Sequence, residues 1–176
     1  LRHPLRDSLS PPMQNAAFAA AGLEWAYVAL GVEPERLEDA VAGLVALGFA
    51  GANVTIPHKT GVLAYCDELD DVAGRAGSVN TLVIRDGRVL GSSTDGQAVN
   101  DAVEATGARV LVLGAGGAAQ AVATALVDAG CASLRVAARR LHVLDNDRRG
   151  AGRRTAARTA GIGEHLRLRA GKLIEI

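Results

Sequence analysis

A short glycine-rich turn, placed between an aliphatic run and an apolar stretch of helical length, constrains this chain more than any other feature. Residues 110–113 are uniformly aliphatic. Residues 118–129 follow the turn as a stretch of helical length that stops before Gly130, and residues 133–138 form a second apolar run. A strand, a helix and a second strand in this order predict a βαβ unit with parallel strands. The sequence therefore predicts an α/β fold.

The turn itself has a pattern typical of dinucleotide sites. Glycines at its first and third places and an alanine at its sixth match G-x-G-x-x-G/A directly after a strand. Glycine permits a tight turn and a close approach of pyrophosphate to the backbone, and the helix start offers free N–H groups. A turn that needs small residues for packing alone is the alternative. The predicted cofactor-binding residues here are Gly114, Ala115, Gly116, Gly117 and Ala118.

Two arginines at the end of the second predicted strand favour NADP over NAD. Sites that prefer NAD usually offer Asp or Glu to the ribose hydroxyls at this point, whereas this chain has Arg139 and Arg140. Guanidinium groups match a 2′-phosphate in charge and geometry. Two solvated surface arginines are the alternative interpretation.

Composition and charge restrict the class of partner. Hydrophobic residues make up 49% of the chain but aromatic residues only 3%, a mixture typical of buried parallel sheets covered by helices of small residues. Nineteen basic residues balance 19 acidic ones, so we expect a small-molecule partner, no nucleic acid and no membrane. With two cysteines, far apart and without a metal-ligand pattern, we expect buried thiols, no metal and a cytoplasmic location.

The N-terminal part is predicted to alternate helices and strands. Ser10, which can cap a helix and is followed by two prolines, marks the start of a helix that ends before Gly22. Residues 24–30 predict a strand, and a second helix runs from Pro34 to about Gly48. Apolar residues share one face of that helix: Leu37, Val41, Leu44 and Val45.

The middle of the chain predicts a strand, a helix and a hairpin. Residues 49–56 form a short apolar strand, and residues 60–74 have a helical pattern. Residues 81–84 and 88–90 flank Asp86-Gly87, the strongest short-range signal for a hairpin.

A domain boundary is predicted at Gly107, after a helix over residues 97–106. We expect a mainly parallel α/β domain followed by a partial Rossmann domain with three αβα layers. Beyond Arg140 the composition changes to Arg, Gly, Ala and Thr, and no element is predicted there. The expected division is residues 1–96, a connecting helix over 97–107, and residues 108–176.

Polar side chains cluster at one predicted strand end. Asn53, Thr55 and Lys59 lie within N-V-T-I-P-H-K, and the side chains of residues 53 and 55 face the same way in a strand. Since ligands bind at the carboxyl ends of strands in open α/β sheets, this amide, hydroxyl and ammonium are placed to meet one polyol. The alternative is that the first two satisfy turn backbone and that Lys59 is a surface cation.

Several motifs in one order resemble the shikimate dehydrogenase family. These are Ser8-Leu9-Ser10-Pro11, residues 53–59, Ser78-Val79-Asn80-Thr81, Thr94-Asp95-Gly96 and the glycine turn. Asn15 and Tyr27 are also similar to that family. The resemblance covers residues 4 to about 140, and N-V-T-x-P-x-K is its most specific motif.

The resemblance implies an enzyme that reduces 3-dehydroshikimate to shikimate with NADPH in aromatic amino-acid biosynthesis. Lys59 and Asp95 would be its catalytic pair, because a proton must reach or leave the ring oxygen as hydride moves. Ser8 and Ser10 would bind the substrate carboxylate. The full set of implied substrate-binding residues is Ser8, Ser10, Asn53, Thr55, Lys59, Asn80 and Asp95.

The chain also departs from the family pattern. Ala138-Arg139-Arg140 replaces N-R-T, so we expect weaker NADP binding. The family has a strand before residue 4 and continues well past residue 140 with a substrate-contacting Gln, so we expect this chain to be a fragment. Other departures are Asp7 and Gln14 for His, Ser78 for Ala, and Ser93 for Asn.

Two other functions stay open on the sequence alone. One is a quinate/shikimate dehydrogenase of broader specificity, whose substrates differ by one ring hydroxyl. The other is a truncated remnant that binds substrate without catalysis. We expect a monomer or a homodimer.

Overall fold

The computed structural model describes residues 1–5, 8–138 and 173–175, and these residues form the predicted α/β fold. Short 3-10 turns cover Pro34–Arg36 and Gly61–Tyr65. The helices and strands, in chain order, are α1 (Ser10–Ala20), α2 (Leu37–Ala46), β1 (Gly51–Asn53), β2 (Glu68–Leu69), α3 (Asp71–Ala76), β3 (Thr81–Arg85), β4 (Arg88–Ser92), α4 (Asp95–Ala102), β5 (Arg109–Leu113), α5 (Gly117–Asp128), β6 (Ser133–Ala137) and β7 (Leu173–Glu175).

The first sheet is mixed, with the strand order β1-β3-β4-β2. β1 and β4 both pair antiparallel with β3, and β2 pairs parallel with β4. The mainly parallel arrangement expected for this part is therefore wrong for the described strands. One of the two antiparallel pairings comes from the predicted hairpin, which is present: Asp86 and Gly87 have φ angles of 53° and 74°, and this turn folds β4 back along β3.

The single helix predicted over residues 60–74 is wrong. That stretch is divided into a 3-10 turn, the short strand β2 and the beginning of α3. Two aspartate side chains explain the division: Asp67 accepts a hydrogen bond from the backbone N–H of Val89 (2.7 Å), and Asp70 accepts one from Ala73 (2.6 Å) and so caps α3. Such side-chain bonds to backbone compete with a continuous helix.

The strand predicted over residues 24–30 is also absent. A strand needs the backbone of a neighbouring strand, but the N–H and C=O groups of Tyr27 bond to the side chain of Asn15 in α1. Among the described residues, the strand-like backbone pairing near this segment is limited to one isolated bridge between Arg2 and Gly31.

The first core forms where α2 packs on the mixed sheet. Leu37, Val41 and Leu44 of α2 are buried on the predicted face, and Val45 packs partly buried beside them. Other buried residues of this core are Val32, Val54, Val62, Ala73, Val79, Leu82 and Val89.

The second sheet contains the predicted βαβ unit. β5 and β6 run parallel in the register Arg109↔Ser133, and α5 connects them. Gly130, with a φ of 76°, lies just after the end of this helix, as expected. β7 adds to β6 in the antiparallel direction, while the rest of the Arg-rich tail lies outside the described residues.

Helix α5 of the βαβ unit packs against α4 through small residues. A Cβ atom on Gly96 of α4 would lie 2.6 Å from the Cβ of Ala125 and 2.8 Å from the carbonyl oxygen of Ala121, so only glycine permits this approach. At the C-terminal end of α5, Nη1 and Nη2 of Arg75 in α3 donate to the two carboxylate oxygens of Asp128. No helix in the described part of the chain is long and apolar enough to cross a bilayer.

A buried histidine makes the stability of this fold depend on pH. His58 is 2% exposed, and its Nε2 lies 2.8 Å from the carbonyl oxygen of Val32. Burial lowers the pKa of His58 from 6.5, because the charged ring loses its hydration, although the bond to Val32 opposes this in part.

We predict that the free energy of unfolding decreases as the pH falls below 6.5. The unfolded chain binds a proton at His58 before the folded chain does, so the neutral ring contributes stability above that pH and acid removes it. Urea unfolding between pH 7.5 and 5 checks this in the wild type and in His58→Gln, which keeps an N–H donor. The same decrease in both proteins would contradict the prediction.

Candidate active site

Lys59 and Asp95 meet in a partly buried ion pair. The Nζ of Lys59 contacts Oδ2 of Asp95, although the residues lie 36 positions apart. Their side chains are 15% and 22% exposed, whereas every partner in the other ion pairs of the described residues is at least 43% exposed. Water screens this pair less than the others, so each charge acts more strongly on its neighbours.

Asn80 holds the other carboxylate oxygen of Asp95. Its Nδ2 donates to Oδ1 of Asp95 (2.8 Å) and to Oγ1 of Thr94 (2.9 Å). Its Oδ1 accepts from the backbone N–H of Thr94 (3.1 Å) and from Oγ1 of Thr81 (3.0 Å). Asp95 is therefore fixed from two sides. Sequence reasoning missed Thr94 as a site residue, although it lies within a motif that the sequence singles out.

The sheet brings Asn53 and Thr55 next to this group. The backbone N–H of Val54 donates to the carbonyl oxygen of Asn80 (2.7 Å), so the end of β1 runs beside the start of β3. Val54 is buried at 2% exposure, whereas Asn53 and Thr55 on either side of it are exposed. The hydroxyl of Tyr27 donates to Oδ1 of Asn53 (3.1 Å).

Ser8 and Ser10 lie at the start of α1. The helix begins at Ser10 itself, so the prediction that Ser10 caps it is wrong; the Oγ of Ser8 instead accepts from the N–H of Ser10 (3.3 Å). Within the described ranges, no hydrogen bond joins either serine to Lys59 or Asp95. Asp7, beside Ser8, is outside those ranges.

The glycine turn lies directly against Lys59. Gly114 has a φ of 118°, which side-chain-bearing residues rarely adopt, and no side chain caps α5 at Gly116. A Cβ atom on Gly117 would lie 2.7 Å from both the Cβ of Lys59 and the Oγ of Ser78. Ala115 and Ala118 complete the turn, and Arg139 and Arg140 lie outside the described residues.

Cys66 bonds elsewhere, and of two buried hydroxyls one, that of Ser78, lies against the glycine turn. Cys66 donates to the carbonyl oxygen of Val62 (3.4 Å), and burial raises the pKa of its thiol to about 11. The hydroxyls of Ser78 and Ser93 are buried and have no hydrogen-bond partner in the described part of the chain. No group of three or more His, Cys, Asp or Glu residues placed to hold a metal occurs in that part.

Fold and site together define a class of α/β proteins in which a hydrogen-bonded cluster of polar side chains adjoins a glycine turn of the dinucleotide pattern. Residues 1–82 match the family model described as the shikimate dehydrogenase substrate binding domain. The chain is 51% identical over 144 residues to the shikimate dehydrogenase (NADP(+)) of Moorella thermoacetica, covering 79% of this chain and 49% of that protein. For the enzyme of the same name from Rubrobacter xylanophilus, identity is 54% over 143 residues, covering 78% and 50%.

A solved structure gives the same result. It is shikimate 5-dehydrogenase of Thermus thermophilus in complex with NADP(H) and shikimate, which superimposes with a TM-score of 0.70 at 39% identity, covering 78% of this chain and 54% of that one. The matched part of this chain therefore belongs to the shikimate dehydrogenase family. The chain spans about half the length of the curated relatives it matches.

We predict that Gly117→Ala lowers the free energy of unfolding by about 1–3 kcal/mol, because its methyl group would force Lys59 or the turn to move. Gly116→Ala is the matched control, since nothing lies within 4 Å of a Cβ there. Urea unfolding of both variants checks the prediction, and an equal effect of the two substitutions would contradict it.

Proposed function

We propose that this chain acts in the NADPH-dependent, reversible reduction of 3-dehydroshikimate to shikimate. The observation that carries the proposal is the Lys59–Asp95 pair, oriented by Asn80 and packed against Gly117 of the glycine turn. A pair able to exchange a proton and a turn suited to a dinucleotide thus lie side by side. The family match and the names of the relatives support the same reaction.

The substrate is proposed to bind at the exposed end of β1. Asn53 and Thr55 would contact ring hydroxyls, and Ser8 and Ser10 would bind the carboxylate through their hydroxyl groups at the start of α1. Both Nδ2 hydrogens of Asn80 are bonded in the structure, so Asn80 would reach a hydroxyl by exchanging its bond to Thr94.

Lys59 and Asp95 are proposed to act together on the reacting oxygen. The ammonium of Lys59 would stabilise the alkoxide that develops during reduction and exchange a proton with it. Asp95 would hold that ammonium through Oδ2 while Asn80 fixes its Oδ1. When bound, the cofactor supplies the hydride.

The glycine turn fits a nicotinamide dinucleotide. Because no side chain caps α5, its first N–H groups are available to an anion, and the small residues of the turn leave the backbone open to a pyrophosphate. Gly114, Ala115, Gly116, Gly117 and Ala118 would hold that group. Arg139 and Arg140 would contact the 2′-phosphate that distinguishes NADP.

The proposed organisation follows from these roles. Residues 1–96 would bind substrate, residues 97–107 would connect, and residues 108–176 would bind the nucleotide. We further propose a cytoplasmic monomer or homodimer.

Binding without turnover is the second candidate function, because the chain spans about half of its relatives. Shikimate would then raise the melting temperature of the 176-residue chain while NADP⁺ and shikimate give no NADPH. A third outcome, equal turnover of quinate and shikimate, would indicate the broader specificity.

We predict that Lys59→Ala lowers kcat for NADP⁺-dependent shikimate oxidation by about 10²–10⁴-fold, the usual contribution of a general acid–base group. NADPH absorbance measures the rate. Arg88→Ala is the control, since it breaks the exposed ion pair with Glu68 far from the proposed chemistry and should keep normal turnover. Near-normal kcat in Lys59→Ala would show that another residue carries the proton.

A further inference from the structure

Tyr27 contacts the proposed substrate-binding face from a segment without helix or strand. Its side chain is half-buried, and its hydroxyl donates to Oδ1 of Asn53 across 26 positions of sequence (3.1 Å). Asn53 ends β1 and is exposed, so the sheet fixes its backbone but leaves the orientation of its amide open. The terminal torsion of an asparagine is broad, and a hydrogen bond is what selects one orientation.

Tyr27 is itself fixed by α1. The Oδ1 of Asn15 accepts from the backbone N–H of Tyr27 (2.7 Å), and the Nδ2 of Asn15 donates to the backbone carbonyl of Tyr27 (3.0 Å). This pair of bonds replaces the ladder that a strand would have supplied. A continuous chain of hydrogen bonds therefore runs from α1 through Tyr27 to the amide of Asn53.

This chain of bonds determines which groups Asn53 offers to a ligand. With Oδ1 occupied by the Tyr27 hydroxyl, the free groups of the amide are the N–H donors of Nδ2. An N–H donor selects a ligand oxygen with a lone pair, such as a hydroxyl of a polyol.

We propose that Tyr27 is a positioning residue: its hydroxyl holds the Asn53 amide so that Nδ2 donates to a hydroxyl oxygen of the substrate. The inference rests on the proposed function and assigns Tyr27 no contact with the reacting atoms. Burial also raises the pKa of Tyr27 from 10.0, which keeps the hydroxyl protonated and able to donate. Since Ser10 begins α1 and Ser8 lies just before it, the same helix would align both ends of the substrate.

A double-mutant cycle tests the inference. Calorimetry measures shikimate binding to the 176-residue chain and to Tyr27→Phe, Asn53→Ala and the double variant. We expect Tyr27→Phe to weaken binding roughly three- to tenfold, the effect of one neutral hydrogen bond, and to have no further effect once Asn53 is alanine. Tyr65→Phe, which removes the same atom from the other tyrosine, should bind normally.

The side-chain amide signal of Asn53 in an NMR spectrum gives a readout that needs no ligand. Tyr27→Phe should shift this signal, and Tyr65→Phe should not. An unchanged signal, unchanged affinity, or an equal loss of affinity in the Asn53→Ala background would each overturn the inference. If Tyr27→Phe shifts the Asn53 signal but the wild type binds no shikimate, the proposed function fails, and the substrate role of Tyr27 fails with it. The orientation of Asn53 by Tyr27 then still stands.

Discussion

The partly buried contact between Lys59 and Asp95 is the interaction on which the rest of the site depends. Removing two charges from water costs free energy, which a well-oriented partner and further hydrogen bonds must offset. Here the sheet supplies those bonds: the start of β3 pairs with the end of β4, and this pairing places Asn80 within reach of Asp95. Loss of either charge would leave the other poorly solvated, so the two residues function as one unit.

The N-terminal end of α5 lies against this unit because the residues between them are small. Gly117 allows the helix start to rest on the stem of Lys59, and Gly96 allows α4, which begins at Asp95, to rest on the same helix. Both members of the ion pair are therefore positioned relative to α5, one through each glycine. The glycine turn and the Lys59–Asp95 pair reach contact distance by close backbone packing.

The sequence predicts those parts of the fold that short-range rules decide. The βαβ unit follows from aliphatic runs around a glycine turn, and the hairpin follows from Asp86-Gly87, because each depends on neighbouring residues. The regions around residues 24–30 and 60–76 were not predictable in this way. The side chains of Asn15, Asp67 and Asp70 bond there to the backbone of residues 12 to 23 positions away, which come close only when the chain has folded. Motif order indicated Lys59, Asn80 and Asp95 as site residues. The contact of Tyr27 with Asn53 exists only once the chain has folded.

The closeness of Gly117 to Lys59 has a consequence for motion within the molecule. Since the Cβ of Lys59 packs directly against the start of α5, a tilt of α5 toward the sheet would press on the stem that carries the ammonium. The position of the helix start and that of the charged group are thereby linked over a single van der Waals layer, without a longer relay of residues between them.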